Sequence, residues 1–242
     1  MSTTSSSSSS SNDDKKNPNL LSDVTSLQNS YFCLRHGQSL ANVEGRIASN
    51  PAKACTSSGL SELGHQQAAK AGRDVVEHYQ QQQSKYDGLL IISSDLLRAD
   101  ETANHVLRAA LAAGIPVYTD KVVTEIRLRE RWFGDWDDTS DANYDNVWKD
   151  DLIDPSHCLS NVESVDSVME RATKCIVDWD DSDNSGVQNH CVVCVAHGDV
   201  LQILQTAFQK RHGSQHRSLE HLETATLRSV QLASSSAETE TE

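Results

Sequence analysis

The sequence predicts an α/β fold: a single three-layer α/β/α domain around a mostly parallel central sheet. Two observations lead to this prediction. Short runs of β-branched and other apolar residues alternate along the chain with segments whose apolar residues recur every three or four positions, as in strands joined by crossover helices. The strand-like runs are also apolar at consecutive positions, which is expected where helices cover both faces of a sheet.

Four short apolar runs are predicted as strands, and they span residues 31–34, 89–92, 191–195 and 226–232. Four further segments have the helical period. The first has an apolar face formed by Ala68, Gly72, Val75 or Val76 and Tyr79, and the second has one formed by Leu96, Ala99, Ala103, Val106 and Ala110. The apolar face of the third is formed by Val165, Met169, Ala172 and Ile176. The fourth helix is predicted to span about 200–208. Gly114 and Pro116 are predicted to end the second helix. The residues from Ser160 to Glu163 fit a capping box at the start of the third.

The domain is predicted to span residues 30–233, between two polar tails. A serine run from Ser5 to Ser11 and the polar residues after it cannot bury apolar surface, so residues 1–29 are expected to be disordered. Residues 234–242 form the second tail. Asp13 and Asp14, together with the lack of arginine before Arg35, argue against a transit peptide.

The composition limits the partners that the protein can have. Its 21 Lys and Arg against 35 Asp and Glu give a net charge of −14, which disfavours nucleic acid and anionic membranes by Coulomb repulsion. No stretch approaches the roughly 20 apolar residues of a membrane span. The six cysteines show no short-spaced framework, so we expect reduced thiols and a cytoplasmic protein.

Residues 135–154 are the least regular part of the predicted domain and contain eight aspartates. The simpler interpretation is a solvated surface excursion. A lid over a ligand site is the alternative.

Two histidines directly follow predicted strands, and each is followed by glycine. They are His36, within Leu34-Arg35-His36-Gly37, and His197, within Ala196-His197-Gly198. Ligands bind at the carboxyl ends of strands in open α/β sheets, so this location favours a functional site. Arg35 adds a forked cation beside an imidazole, which is a nucleophile capable of attacking phosphorus.

Six segments, in the same order, resemble the motifs of the histidine phosphatase (phosphoglycerate mutase-like) superfamily. Residues 35–42 resemble its nucleophile motif R-H-G-x-S-x-x-N, residues 60–68 resemble L-T-x-x-G-x-x-Q-A, and residues 93–103 resemble S-S-x-L-x-R-A-x-x-T-A. Residues 128–134 are similar to L-x-E-R-x-x-G, and Glu163-Ser164 and His197-Gly198 match the last two motifs. The chain departs from the pattern at Asn161-Val162, where the family usually has a glycine pair, and at Asp199, where it has Gly or Asn.

The resemblance implies a role for each matching residue. His36 is expected to be the covalent nucleophile and Glu130 the proton donor, with His197 beside them as a further catalytic residue. Phosphate binding is expected from Arg35, Arg98, His197 and Asn42, and substrate binding from Gln38, Ser39 and Arg131. These roles fit phosphoryl transfer, which needs a nucleophile in line with the leaving group, positive charge around the phosphoryl oxygens and a proton for the leaving alkoxide. Neither a metal ion nor a cofactor is expected, and Cys191 and Cys194 should point to opposite faces of their strand rather than to one metal ion.

The predicted function is therefore hydrolysis of a phosphomonoester of a small metabolite through a phosphohistidine intermediate. The alternatives are a phosphoglycerate mutase and a catalytically silent phospholigand-binding protein. The presence of all five core residues disfavours the silent protein. Only 33 positions separate Glu130 from Glu163, which is too few for the long insertion of the mutases that the chain resembles. The acid phosphatase and phytase branch is disfavoured because its motif continues R-H-G-x-R-x-P, whereas Ser39-Leu40-Ala41 stands here.

Overall fold

A five-stranded sheet organises residues 17–234, the part of the chain that the computed structural model describes. Its strands are β1 (Ser30–Arg35), β2 (Gly88–Ser93), β3 (Val123–Thr124), β4 (His190–Ala196) and β5 (Leu227–Val230), in the order β3-β2-β4-β1-β5. β5 lies antiparallel to β1, and the other pairs are parallel. The predicted mostly parallel sheet is confirmed, and the two-residue strand β3 is an addition to it.

The helices of the described residues connect these strands. They are α1 (Leu40–Val43), α2 (Pro51–Ala54), α3 (Glu62–Gln81), α4 (Leu97–Ala112), α5 (Tyr144–Ile153), α6 (Val165–Asp180), α7 (Ser182–Ser185) and α8 (Gly198–Phe208). None of them combines the length and the apolar character that crossing a bilayer requires. None of the six cysteines forms a disulfide within the described residues.

Different helices cover the two faces of the sheet. α3 and α4 pack on the face that carries Phe32 and Leu34, and α6 and α8 pack on the face that carries Tyr31 and Cys33. Successive residues of β1 enter opposite cores because side chains alternate across a strand. The predicted three-layer arrangement is confirmed.

Strand register brings three strand ends to one edge of the sheet. Arg35 of β1 pairs with Ala196 of β4, and Ser93 of β2 pairs with Val195. The amide of His36 extends this ladder by donating to the carbonyl oxygen of Ala196 at 3.0 Å. The residues that follow β1, β2 and β4 therefore emerge side by side, where ligands bind in parallel sheets.

Residues from Asn19 onward pack against the domain, although the predicted disordered tail extends to residue 29. Leu21 is fully buried in the core between the sheet and helices α6 and α8. The amides of Gln28 and Asn29 donate to the carboxylate of Asp180 at 2.9 and 3.0 Å. Leucine and valine side chains after residue 17 supply the apolar surface that the serine run lacks. The rest of the predicted tails, residues 1–16 and 235–242, lies outside the described residues.

Helix α6 begins later than the predicted capping box requires. Ser160 and Asn161 have positive φ angles of 54° and 58°, so they form a tight turn before the helix. Ser164 is the N-cap instead, and its Oγ accepts the amide hydrogen of Ser167 at 3.1 Å. Glu163 forms an ion pair with Arg171 at 2.8 Å. The capping-box prediction is wrong because Ser164 offers the same capping hydroxyl four residues further on.

Residues 135–154 are a folded part of the domain rather than a solvated excursion. Besides α5 they contain 3-10 turns at Gly134–Trp136 and Asp141–Asn143. Val147 is buried in a small core with Phe133, and Asp151 is fully buried. The interpretation as a solvated loop is wrong, because apolar and aromatic residues between the aspartates provide a face that packs.

Candidate active site

A cavity of about 220 Å³ lies at the edge of the sheet where β1, β2 and β4 end. The predicted site residues in its lining are Arg35, His36, Ser39, Asn42, Arg98 and Glu130. Its lining also includes residues that the sequence did not single out, among them Tyr144, Trp148, Arg217 and His221.

His36 lies at the centre of the predicted set and is only 3% exposed. Its Nδ1 lies 2.7 Å from the carbonyl oxygen of Gly37, and this nitrogen must carry the hydrogen because a carbonyl oxygen only accepts. Nε2 is therefore the nitrogen with a lone pair. Burial and the charges of Arg98 and Arg35 hold the pKa of His36 well below its usual value, so the imidazole is neutral near pH 7.

The loop after His36 packs directly on the start of α3. A Cβ on Gly37 would lie 2.5 Å from the carbonyl oxygen of Gly64, and a Cβ on Gly64 would lie 2.0 Å from that of Gln38. Only glycine at both positions permits this approach. The segment around Gly64 thus supports the backbone that carries His36.

Arg98 reaches the cavity from the first turn of α4 and is 4% exposed. Its Nε donates to Nε2 of His36 at 3.0 Å, and its Nη2 donates to the carbonyl oxygen of Ala48 at 3.0 Å. Arg35, at the end of β1, donates from Nη1 to Nε2 of His221 at 2.7 Å and to the carbonyl oxygen of Leu222 at 3.1 Å. Both guanidinium groups are thus held in fixed orientations.

His197 lies behind His36 rather than on the cavity wall. It is fully buried, and the two ring centroids are 5.1 Å apart. Its Nε2 lies 2.9 Å from Oγ of Ser94, the residue that follows β2. Burial, Arg98 and His36 hold its pKa well below the usual value, so this imidazole is also neutral near pH 7.

Several buried polar atoms around the cavity have no hydrogen-bond partner among the described residues. They include Nε of Arg35, Nη1 of Arg98 and Nδ1 of His197. A buried polar atom without a partner is costly and calls for an explanation. Three such nitrogen atoms close to His36 suit a ligand that is rich in acceptor oxygens, such as a phosphoryl group.

Glu130 brings a carboxyl group to the same cavity. Its Oε1 accepts the amide hydrogen of Arg131 at 3.0 Å. Burial and the nearby Asp199 raise the pKa of Glu130 to about 7, against the opposite effects of Arg98 and Arg35. Much of the group is therefore protonated near neutral pH, as a general acid must be.

The remaining predicted residues fall into two groups. Ser39 and Asn42 line the cavity and fix each other, because Oγ of Ser39 donates to Oδ1 of Asn42 at 2.9 Å and accepts its amide hydrogen at 3.2 Å. Gln38 and Arg131 are not on the cavity wall. Gln38 accepts from the hydroxyl group of Ser61 at 2.8 Å, which ties its side chain to the start of α3.

Arg131 forms buried hydrogen bonds with carboxylates of two other segments and does not line the cavity. Its side chain is fully buried and donates to both carboxylate oxygens of Asp151 at 2.7 Å and to Oδ2 of Asp199 at 3.2 Å. It therefore joins α5 to the first turn of α8. The structure thus places Arg131 outside the cavity lining, with its guanidinium group occupied by two carboxylates.

The residues that the sequence did not reveal form one wall of the cavity. Tyr144 and Trp148 stack with ring centroids 5.2 Å apart and planes 8° apart, and the guanidinium carbon of Arg217 lies 3.7 Å from the centroid of Trp148. The spacing of four residues between the aromatics is a helical signal that was obscured by the aspartates around it. Arg217 and His221 lie in a polar stretch with no periodic pattern.

The site thus combines a neutral imidazole, two oriented guanidinium groups and a carboxyl group with a raised pKa. Such a set can exchange a phosphoryl group and supply a proton to a leaving alkoxide. Within residues 17–234 no three His, Cys, Asp or Glu side chains cluster as a metal site would require. Cys191 and Cys194 lie in the cores on opposite faces of the sheet, as predicted.

Comparison with known proteins places the chain among phosphatases. The sequence profile of the histidine phosphatase superfamily (branch 1) matches residues 31–241. Glucosyl-3-phosphoglycerate phosphatase of Mycobacterium tuberculosis is 30% identical over 191 residues, which cover 73% of this chain and 74% of that protein. The enzyme of the same name from Mycolicibacterium vanbaalenii is 30% identical over 182 residues, which cover 72% of this chain and 71% of that protein.

Solved structures agree with the sequence comparison. The mycobacterial glucosyl-3-phosphoglycerate phosphatase in complex with VO3 superposes with a TM-score of 0.63 at 26% identity, covering 85% of this chain and 99% of that one. Its complex with inorganic phosphate gives a TM-score of 0.61 at 25% identity, covering 85% of this chain and 97% of that one.

Proposed function

The chain belongs to branch 1 of the histidine phosphatase superfamily, and we propose that it hydrolyses a phosphomonoester of a small metabolite through a phosphohistidine on His36. The observation that carries this proposal is the set of unpartnered buried nitrogen atoms of Arg35, Arg98 and His197 close to that imidazole. Arg35 and Arg98 line the cavity with His36, so their nitrogen atoms offer donors to the oxygens of a phosphoryl group there. The names of the relatives support a small phosphorylated substrate.

In the first step, the hydrogen bond from Nε of Arg98 to Nε2 of His36 breaks, and the freed lone pair of Nε2 attacks phosphorus. The hydrogen bond from Nδ1 to Gly37 fixes the tautomer that makes Nε2 nucleophilic. The bond between phosphorus and the ester oxygen breaks, and the carboxyl group of Glu130 gives its proton to the departing alkoxide. Arg35 and Arg98 neutralise the charge on the phosphoryl oxygens.

In the second step, water attacks the phosphohistidine. The carboxylate of Glu130 takes a proton from this water, so the acid of the first step becomes the base of the second. The bond between phosphorus and Nε2 breaks, which releases inorganic phosphate and restores His36. Glu130 returns to its protonated form, ready for another cycle.

The test is hydrolysis of p-nitrophenyl phosphate and of a panel of phosphorylated metabolites that includes glucosyl-3-phosphoglycerate. We expect the unsubstituted protein to release phosphate. His36→Ala should lower kcat at least about 10³-fold, because the covalent route requires its nucleophile. A rapid quench without acid should trap a labelled, acid-labile and alkali-stable adduct. Labelling that persists in His36→Ala would refute the proposed intermediate.

His105→Ala is a suitable control. His105 lies on α4 and pairs with His65 at 3.1 Å, outside the cavity lining. This variant should keep both the activity and the labelling. A chain that binds phosphorylated metabolites but hydrolyses none of them would contradict the proposed function.

A further inference from the structure

Two side chains pack against the indole ring of Trp148 in the cavity wall. The ring of Tyr144 stacks on it, and the guanidinium carbon of Arg217 lies 3.7 Å from its centroid. Both contacts hold the plane of the indole, but neither prevents the ring from sliding within that plane. All three side chains line the cavity, and none of them takes part in the proposed reaction.

Asp199 holds the edge of the same indole. Nε1 of Trp148 donates to Oδ1 of Asp199 at 3.1 Å, and Oδ2 of Asp199 accepts from Nη1 of Arg131 at 3.2 Å. Arg131 is itself held by two hydrogen bonds of 2.7 Å to Asp151. The indole is thus tied to a buried carboxylate that is paired on its other side, which stabilises one position of the ring.

This wall lies on the side of the cavity where the leaving group departs. Glu130, the proposed proton donor to that group, lines the same cavity. Burial and then the charge of Asp199 raise the pKa of Glu130, so the two carboxyl groups lie near each other. Burial and then the charge of Glu130 likewise raise the pKa of Tyr144. The alkoxide that takes the proton of Glu130 is therefore formed beside the wall.

Little room remains in the cavity beside a phosphoryl group. Its volume of about 220 Å³ is below the roughly 300–1,000 Å³ that is typical of small-molecule pockets. Trp148 has the largest side chain in the lining. A shift of its ring would therefore change the space that a leaving group can fill.

We propose that Asp199 is a positioning residue that holds Trp148 at the cavity wall, and that the wall held in this way excludes bulky leaving groups. This inference rests on the phosphatase function proposed above, and it specifies the substrate class as phosphate monoesters of small alcohols. Without the acceptor on Asp199, Trp148 would keep its stacking partners but could move along them, which would admit larger esters.

The first experiment measures the hydrogen bond itself, through hydrogen exchange of the indole N–H groups in NMR spectra of the isotope-labelled protein. Trp148→Phe identifies the signal of Trp148. Asp199→Ala should speed the exchange of this hydrogen at least about tenfold, the effect of losing a charge-assisted hydrogen bond. The indole of Trp179 is the matched control, because it donates to Glu125 at 3.3 Å outside the cavity lining, and its exchange should not change.

The second experiment compares kcat/KM for sn-glycerol 3-phosphate and glucose 6-phosphate, two esters of primary alcohols that differ in size. We expect the unsubstituted protein to prefer the smaller ester by about tenfold or more. Trp148→Ala and Asp199→Ala should each lower this ratio at least about fivefold. In Trp148→Phe, which has no donor, adding Asp199→Ala should change the ratio less than about twofold, because both substitutions remove the same bond.

A general loss of activity cancels in this ratio, since it compares two substrates of one variant. Trp179→Phe should keep the ratio of the unsubstituted protein. Unchanged exchange of the Trp148 indole in Asp199→Ala, a ratio near one in the unsubstituted protein, or a ratio unaffected by Trp148→Ala would each overturn the proposal. Absence of hydrolysis of every ester in the panel would instead refute the phosphatase function, and the exchange experiment does not depend on that activity.

Discussion

Nε of Arg98 donates a hydrogen bond to Nε2 of His36 at 3.0 Å, while Nη1 of the same guanidinium group is buried and has no hydrogen-bond partner within residues 17–234. One side chain therefore contacts the proposed nucleophile and offers a donor to the proposed phosphoryl group. The carbonyl oxygen of Ala48 anchors its third nitrogen at 3.0 Å. This anchoring fixes the guanidinium group before substrate arrives, which is the condition for effective transition-state stabilisation.

We predict that Arg98→Gln lowers kcat by about 10²–10³-fold, the usual loss for one transition-state donor. Arg108→Gln is the control, since Arg108 lies on the exposed face of the same helix and should leave kcat unchanged. Steady-state kinetics measure the effect, and circular dichroism verifies that the variant is folded. If Arg98→Gln kept kcat within about threefold of the intact chain, its proposed role would be wrong.

The pairing of strand ends explains why so much of the candidate site was predictable from sequence. His36 and His197 each follow a buried apolar run, and parallel pairing of such runs puts their ends at one edge. Residues that reach the cavity from irregular segments have no comparable sequence signal. Arg217 and His221 reach the cavity from an irregular segment, and only the fold brings Trp148 to them.

Two features of the structure were not visible in the sequence patterns. Arg131 was expected at the substrate because a motif fixes residue types, whereas the partners Asp151 and Asp199 come from other segments. Residues 135–154 were expected to be solvated because their aspartates dominate the composition. Composition does not show that Asp151 is neutralised inside the domain while Val147 and its aromatic neighbours pack.

We predict that kcat/KM falls as the pH rises through about 7. The pKa of Glu130 is raised to about 7, and the protonated form, present below that pH, is the proposed acid. The pKa of His36 is lowered, so the nucleophile remains neutral over this range. Asp199 is one cause of the raised pKa, so Asp199→Asn should shift the alkaline limb to lower pH.

A pH–rate profile with an alkyl phosphate as substrate measures the alkaline limb of kcat/KM. The alkoxide that leaves such a substrate needs the proton from Glu130. Asp145→Asn, an exposed substitution on α5, should leave the limb in place. An unmoved limb in Asp199→Asn, or one moved to higher pH, would contradict the assignment of Glu130 as the acid.

We also predict that EDTA leaves the rate of hydrolysis unchanged. The positive charge for the phosphoryl oxygens comes from Arg35 and Arg98, and their unpaired buried nitrogens supply the contacts that a metal ion otherwise makes. The measurement is phosphate release after dialysis against chelator. A rate that collapses and then returns with Mg²⁺ or Zn²⁺ would show that the proposed mechanism is incomplete.

The last prediction concerns the buried ion pair beneath the cavity. Asp151 accepts two hydrogen bonds of 2.7 Å from Arg131, and both side chains are fully buried. Asp151→Ala should lower the free energy of unfolding by about 3–5 kcal/mol, because the buried guanidinium group then keeps only the longer ion pair with Asp199 and the hydrogen bond from its Nε to the carbonyl oxygen of Glu163. Urea denaturation measures this loss, and Asp145→Ala on the same helix should cost less than about 1 kcal/mol. Equal losses in the two variants would mean that solvent or rearrangement satisfies Arg131, and that α5 does not depend on this pair.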